Sequence, residues 1–143
     1  MSNPPIAKVA ASDVPSNRRR GGDVRVLLSP KTVGATSGFG GVLTLEPGEI
    51  VAEHLHPYSE EFVYVVSGVV LMRVGTDYVS LEPGDALMVP LGARHRVENR
   101  GDQPARAVFH LSPLAPRPEL GHVDTEVLPG RESEPQLQVG GPS

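Results

Sequence analysis

"GEIVAEHLHPYSEEFVYVVSG", residues 48–68, decides how the rest of the chain is read. It holds two of the five histidines, His54 and His56, one residue apart, and two carboxylates, Glu60 and Glu61, just beyond a Pro57-Tyr58-Ser59 turn. If the first half is a strand, His54 and His56 leave the same face with Cα atoms about 6–7 Å apart. Two imidazoles at that spacing can converge on one ion, and surface pairs of this kind also occur without a metal. The second half, from Glu61 to Ser67, is a strongly apolar strand on which Glu61, Val63 and Val65 share one face. Glu60 falls on the other face with Phe62 and Tyr64. A carboxylate heading an apolar row is costly to bury without a partner, whereas an exposed strand end costs nothing.

Outward from this stretch, short β-branched runs alternate with turn signals. Strands are expected near 24–28, 41–45, 50–56, 61–67, 69–75, 78–81, 86–89, 95–99 and 105–111. Between them lie Ser29-Pro30, Glu46-Pro47-Gly48, Gly75-Thr76-Asp77, Glu82-Pro83-Gly84, Pro90-Leu91-Gly92 and Arg100-Gly101-Asp102. No long stretch carries a helical period, and strands at this spacing predict an all-β sandwich or barrel. "LEPGE" at 45–49 is echoed by "LEPGD" at 81–85, which suggests two similar halves.

Composition bounds the chemistry. The 143 residues suit a single domain, and 16 Gly with 15 Pro favour strands and turns over long helices. Residues 1–22 are expected to form a flexible arm, 23–126 the domain, and 127–143 a flexible tail. The net charge of −4 gives no general attraction for nucleic acid or membrane surfaces, and the run Arg18–Arg20 reads as an anchor for the first strand. No segment approaches the roughly 18 apolar residues of a membrane span, and the N-terminal stretch lacks a compact apolar signal core. A soluble cytoplasmic protein is the expectation. With no cysteine, any metal must be held by His, Asp or Glu.

Downstream, "GDALMVPLGARHRVEN", residues 84–99, places His95 at the start of a strand after a Pro90-Leu91-Gly92 turn. With it the chain resembles the cupin superfamily. The first cupin motif falls on Gly48, His54, His56, Glu61 and Gly68, and the second on Gly84, Pro90, Gly92, His95 and Asn99, with every fixed position filled. The resemblance implies a double-stranded β-helix, or jelly-roll barrel, with flexible N- and C-terminal extensions. It also implies one divalent ion per chain held by His54, His56, Glu61 and His95: zinc first, with iron, nickel and manganese as alternatives. Such a mixed N/O shell suits a first-row ion with open positions.

The flanks narrow the resemblance. "RRRGGDVRVLLSPKTVGATSGFGG" (18–41) and "ARAVFHLSPLAPRPELGHVDTE" (105–126) are similar to single-domain cupin cyclases of aromatic polyketide biosynthesis. That similarity implies regiospecific intramolecular aldol condensation and aromatisation of a poly-β-ketone. The substrate would be free or delivered on an acyl carrier protein, and the enzyme a homodimer paired through an edge strand or a swapped N-terminal arm. The alternatives are a dioxygenase acting on phenolic or diketone substrates and a non-catalytic ligand-binding cupin. Catalytic roles are expected for His95, Glu61 and His110, the last as a base or an extra ligand if its strand turns it inward. Alternation predicts a cavity lined by Val63, Val65, Val70, Met72, Val74 and Val97. His122 is expected to pack a C-terminal extension or a dimer contact.

Overall fold

The computed structural model describes residues 5–137. Ten strands form two antiparallel five-stranded sheets: β1 (Asp23–Leu28), β2 (Phe39–Leu45), β3 (Ile50–Leu55), β4 (Glu60–Ser67), β5 (Val70–Val74), β6 (Asp77–Leu81), β7 (Ala86–Val89), β8 (His95–Glu98), β9 (Ala105–Ser112) and β10 (Val123–Asp124). The order is β1-β2-β9-β4-β7 in one sheet and β10-β3-β8-β5-β6 in the other, so that chain neighbours repeatedly fall in opposite sheets. This is the expected double-stranded β-helix. Among the described residues no helix is long and apolar enough to cross a membrane.

Period-two burial explains why the sheets face each other. Along β4, Glu61, Val63 and Val65 are buried while Glu60, Phe62, Tyr64 and Val66 are exposed. Along β9, Ala105, Ala107, Phe109 and Leu111 turn inward. These residues meet Leu43, Leu45, Met72 and Val97 in one core drawn from both sheets. Full burial of each large side chain contributes roughly 1.5–3 kcal/mol.

The repeated EPG segments are structurally equivalent turns. Gly48 and Gly84 take φ of 86° and 94°, values open to glycine because it lacks a Cβ. In each turn a backbone N–H donates to a carboxylate three residues on: Glu46 to Glu49 and Glu82 to Asp85, both at 2.8 Å.

Two elements differ from the sequence reading. A single helical turn, α1 (Pro30–Val33), occupies the Ser29-Pro30 punctuation, stabilised by a Ser29–Thr32 capping box. Strand β10 was not expected. Its two residues pair with Leu55 and His54, too short a run to leave a periodic signal.

Described residues of the two terminal segments touch the barrel at several points. Asn17 bridges to Val24, the Ala52 N–H donates to the Arg20 carbonyl at 2.7 Å, and Leu137 packs against the core. Arg19 holds the tail from below, its Nη1 donating to the carbonyls of Glu132 and Glu134 at 3.1 and 2.6 Å.

Candidate metal centre

Strand β3 carries His54 inward, and His56 follows on the same side just past its end; both are buried. The β3–β8 register shifts between Val51 and His54, which allows Val51, an odd number of residues earlier, to line the same cavity. His54 pairs directly with His95, the first residue of β8. The three rings stand 4.3, 4.9 and 5.2 Å apart centre to centre, and one nitrogen of each lies within 4.8 Å of the others.

Backbone carbonyls set the tautomers. Nδ1 of His54 donates to Ala52 O at 2.8 Å, Nδ1 of His56 to Gly121 O at 3.0 Å, and Nδ1 of His95 to Ala93 O at 2.9 Å. A carbonyl can only accept, so each Nδ1 carries the proton and each Nε2 is left with a lone pair. The Nε2 atoms of His56 and His95 are buried and have no hydrogen-bond partner among the described residues. Orphaned buried acceptors of this kind are costly unless a cation meets them. Second-ring-nitrogen anchoring is also the usual support of metal-bound histidine.

Glu61 heads β4 and joins the group, with Oε1 at 3.2 Å from His95 Nε2 and Oε2 at 3.9 Å from His56 Nε2. Burial lowers the His54 pKa well below the ordinary value, and the neighbouring imidazoles His95 and His56 add to this. Burial also lowers His56, to about 4, against the opposing pull of Glu61. For His95 burial is outweighed by the Glu61 carboxylate, which raises it. Burial would raise Glu61, but the His95 ring and charge hold its carboxyl down. Three imidazole nitrogens and a carboxylate converging in a buried site fit a divalent ion.

The cavity beside this group has a volume of about 70 Å³. Val63 and Val97 line it as expected. Val65, Val70 and Met72 instead fill the core away from it, and Val74 is half-buried there. More of the lining comes from β2 and β9, including Phe39, Leu43, Phe109 and Leu111.

His110 is a correction. It lies on the exposed face of β9, between the buried Phe109 and Leu111, and crosses above Gly38 and Gly40 on the outside of the sheet. Strand alternation puts it with Arg106 and Val108, which turn outward, so it neither lines the cavity nor reaches the imidazole cluster. Glu60 is likewise exposed on the outer face.

Two residues that the sequence reading assigned elsewhere do line the cavity. Arg20, with 8% exposure, and His122 share its wall with His54, His56 and Glu61. The Arg18–Arg20 run offered no sign that its third member turns inward, because the direction is fixed by the bond from Ala52 N–H to Arg20 O.

A family model described as "Cupin domain" matches residues 41–111. The chain is 54% identical over 135 residues to the tetracenomycin polyketide synthase protein TcmJ of Streptomyces glaucescens, covering 94% of this chain and 90% of that one. It is 56% identical to the polyketide synthase CurC of Streptomyces cyaneus, covering 82% and 77%. Among solved structures, a Klebsiella pneumoniae protein with a double-stranded beta-helix domain superposes with a TM-score of 0.67 at 20% identity, over 85% of this chain and 99% of that one. Oxalate decarboxylase from Bacillus subtilis gives 0.68 at 24% identity, over 80% and 30%. At these identities the two structures bear on the fold alone.

Proposed function

Because this chain belongs to the cupin family and to its polyketide synthase-associated members, we propose that it is a metal-dependent cyclase acting on a poly-β-ketone. The observation that carries the reading is the set of three buried imidazoles beside Glu61, with the Nε2 atoms of His56 and His95 unpartnered among the described residues, opening on an apolar cavity. His54, His56, Glu61 and His95 would hold the ion, with zinc the first candidate. A bound divalent ion supplies Lewis acidity for a ketone oxygen. The apolar walls orient the reacting carbons and exclude water. Aldol closure joins an acidic methylene carbon to a ketone carbon, and dehydration then gives the aromatic ring.

A cavity of about 70 Å³ is far below the roughly 300–1,000 Å³ of pockets that enclose drug-sized ligands. A long ketone chain therefore needs more room than the cavity offers in the described conformation. Delivery on an acyl carrier protein belongs to the same reading.

So does a homodimer. Support for it lies on the outer face of the β4 sheet. There Phe62, Tyr64, Val66, Met88 and Val108 are exposed in adjoining rows. Exposed Glu60 and Arg106 stand at opposite ends of that face, beside Ser112 and Ser67 respectively. A two-fold pairing of such faces brings opposite charges together at both ends.

The test is product analysis with a minimal polyketide synthase, with and without the zinc-loaded protein and with and without oxygen. A shift to one cyclised product that is indifferent to oxygen supports the reading. An unchanged product mixture sinks it, and oxygen consumption dependent on Fe(II) favours a dioxygenase.

A further inference from the structure

With His110 turned outward, the cavity lacks the base that a carbon acid requires, yet a second polar group stands in its wall. Asp124, on β10, accepts from Arg20 Nε at 2.7 Å and from Arg19 Nε at 3.3 Å. It also accepts from the Gln136 amide at 3.1 Å. A carboxylate flanked by two guanidinium groups is ionised and can only accept. Gln136 must therefore present its NH2 group to Asp124, and its Oε1 becomes the acceptor for its other neighbours. Those neighbours are Arg20 Nη2 at 3.4 Å and His122 Nε2 at 2.8 Å. His122 Nε2 consequently carries the ring proton. Its Nδ1 is left as a basic lone pair with no hydrogen-bond partner among the described residues, on a side chain that lines the cavity.

We propose that His122 is the proton-accepting base of this cavity and that Arg20 holds the oxyanion formed beside it, the ligand being a carbonyl compound with an acidic C–H. The ligand class rests on the cyclase reading, whereas the tautomer argument stands without it. In the step, the C–H bond breaks and its proton passes to Nδ1. The bonding pair becomes the enolate C=C while the carbonyl π pair moves to oxygen, and the guanidinium faces that charge. After carbon–carbon bond formation the imidazolium returns its proton to the new alkoxide. Burial is the largest influence on His122 and lowers its pKa, followed by the Arg20 charge, which keeps the ring neutral and able to accept. Two guanidinium groups on the single Asp124 carboxylate leave a net positive charge in the wall, which favours an anion beside it.

The network explains why Asp124 and Gln136 sit where they do. Gln136 precedes Leu137, which lines the cavity, so this segment supplies both part of the wall and the contact that fixes the His122 tautomer. His122 is a catalytic residue in this scheme, Arg20 an oxyanion-binding one, and Gln136 a positioning residue.

The test is solvent deuterium exchange into the methylene of ethyl acetoacetate, followed by proton NMR with the zinc-loaded protein. Wild type should accelerate exchange. His122→Gln, whose amide can still donate to Gln136 but has no basic nitrogen, should lose about 10²-fold of that acceleration at unchanged metal content and circular dichroism. Lost metal in this variant would make His122 a ligand and overturn the proposal, as would wild-type exchange rates. A measurement on the unaltered protein guards against a variant that fails to fold. Nitrogen-15 NMR of labelled histidine should find His122 protonated at Nε2 only, and protonation at Nδ1 would overturn the argument. If exchange depends on His122 but no cyclised product forms, the cyclase reading fails alone. If cyclisation persists in His122→Gln, this inference fails alone.

Discussion

His95 Nε2 lies 3.2 Å from Glu61 Oε1, and both groups are buried. Because His95 Nδ1 already donates to Ala93 O, a neutral ring sets its Nε2 lone pair against a carboxylate oxygen. Two acceptors in contact repel, and only a proton or a metal cation between them makes the arrangement favourable. In the metal-free protein the Glu61 carboxylate favours a proton on His95 and raises its pKa in spite of burial.

Zinc uptake must then displace that proton. Calorimetric titration of metal-free protein at pH 6, in buffers of different ionisation enthalpy, should report release of about one proton per ion bound. A binding enthalpy independent of buffer would mean that His95 and Glu61 do not share a proton.

The ligand assignment separates the two adjacent glutamates. Glu61→Gln should weaken zinc binding by about 10²-fold or more, beyond the 10–100-fold typical of outer-shell changes. Glu60→Gln, on the exposed face, should leave binding unchanged. Elemental analysis after dialysis against graded chelator reads both, and equal losses would contradict the alternation along β4.

Metal-free protein should lose stability as pH falls from neutral. The folded-state pKa values of His54 and His56 lie below the unfolded value near 6.5, so the unfolded chain takes up protons first. The loss therefore begins near pH 6.5 and, for His56, is complete at its folded value of about 4, a contribution of roughly 3 kcal/mol. His54 acts in the same direction. His95, raised, contributes in the opposite sense only above the unfolded value near 6.5; its contribution is fully present below that and leaves the loss between pH 6.5 and 4 unchanged. Thermal melts between pH 7.5 and 4 test this, and a melting temperature that is flat or rises on acidification would refute it.

His110→Ala should be nearly silent. An exposed residue outside the cavity typically changes stability by no more than about 0.5 kcal/mol, and neither metal content nor product yield should move. A large loss of activity would return His110 to the active machinery.

Phe62→Arg places a charge in the centre of the outer face, opposite His110 and Met88 in adjacent strands. Sedimentation should give two chains for wild type and one for the variant at micromolar concentration. A wild-type mass of one chain would remove the dimer, and a dimeric variant would move it to another surface.

The strands were legible in the sequence because each buried face has period two. Glu61, Val63 and Val65 point inward in the structure as alternation alone requires. The imidazole pair was legible for the same reason, and the second motif supplied His95. Alternation also puts His110 beside Val108, but it does not say which face of β9 is inside. That choice belongs to Phe109, Ala107 and Leu111, whose burial turns His110 out.

What the sequence determined by itself is therefore the set of elements and the identity of the metal-site side chains, since both depend on local spacing. The tertiary structure alone decided the second polar group. Arg20, His122, Asp124 and Gln136 are separated by up to 116 positions and carry no shared period. They meet because β10 pairs with β3 and because the Arg20 carbonyl accepts from Ala52. A hydrogen-bonded network closed across the two ends of a chain depends on directional contacts between distant residues. No window of neighbouring residues contains it.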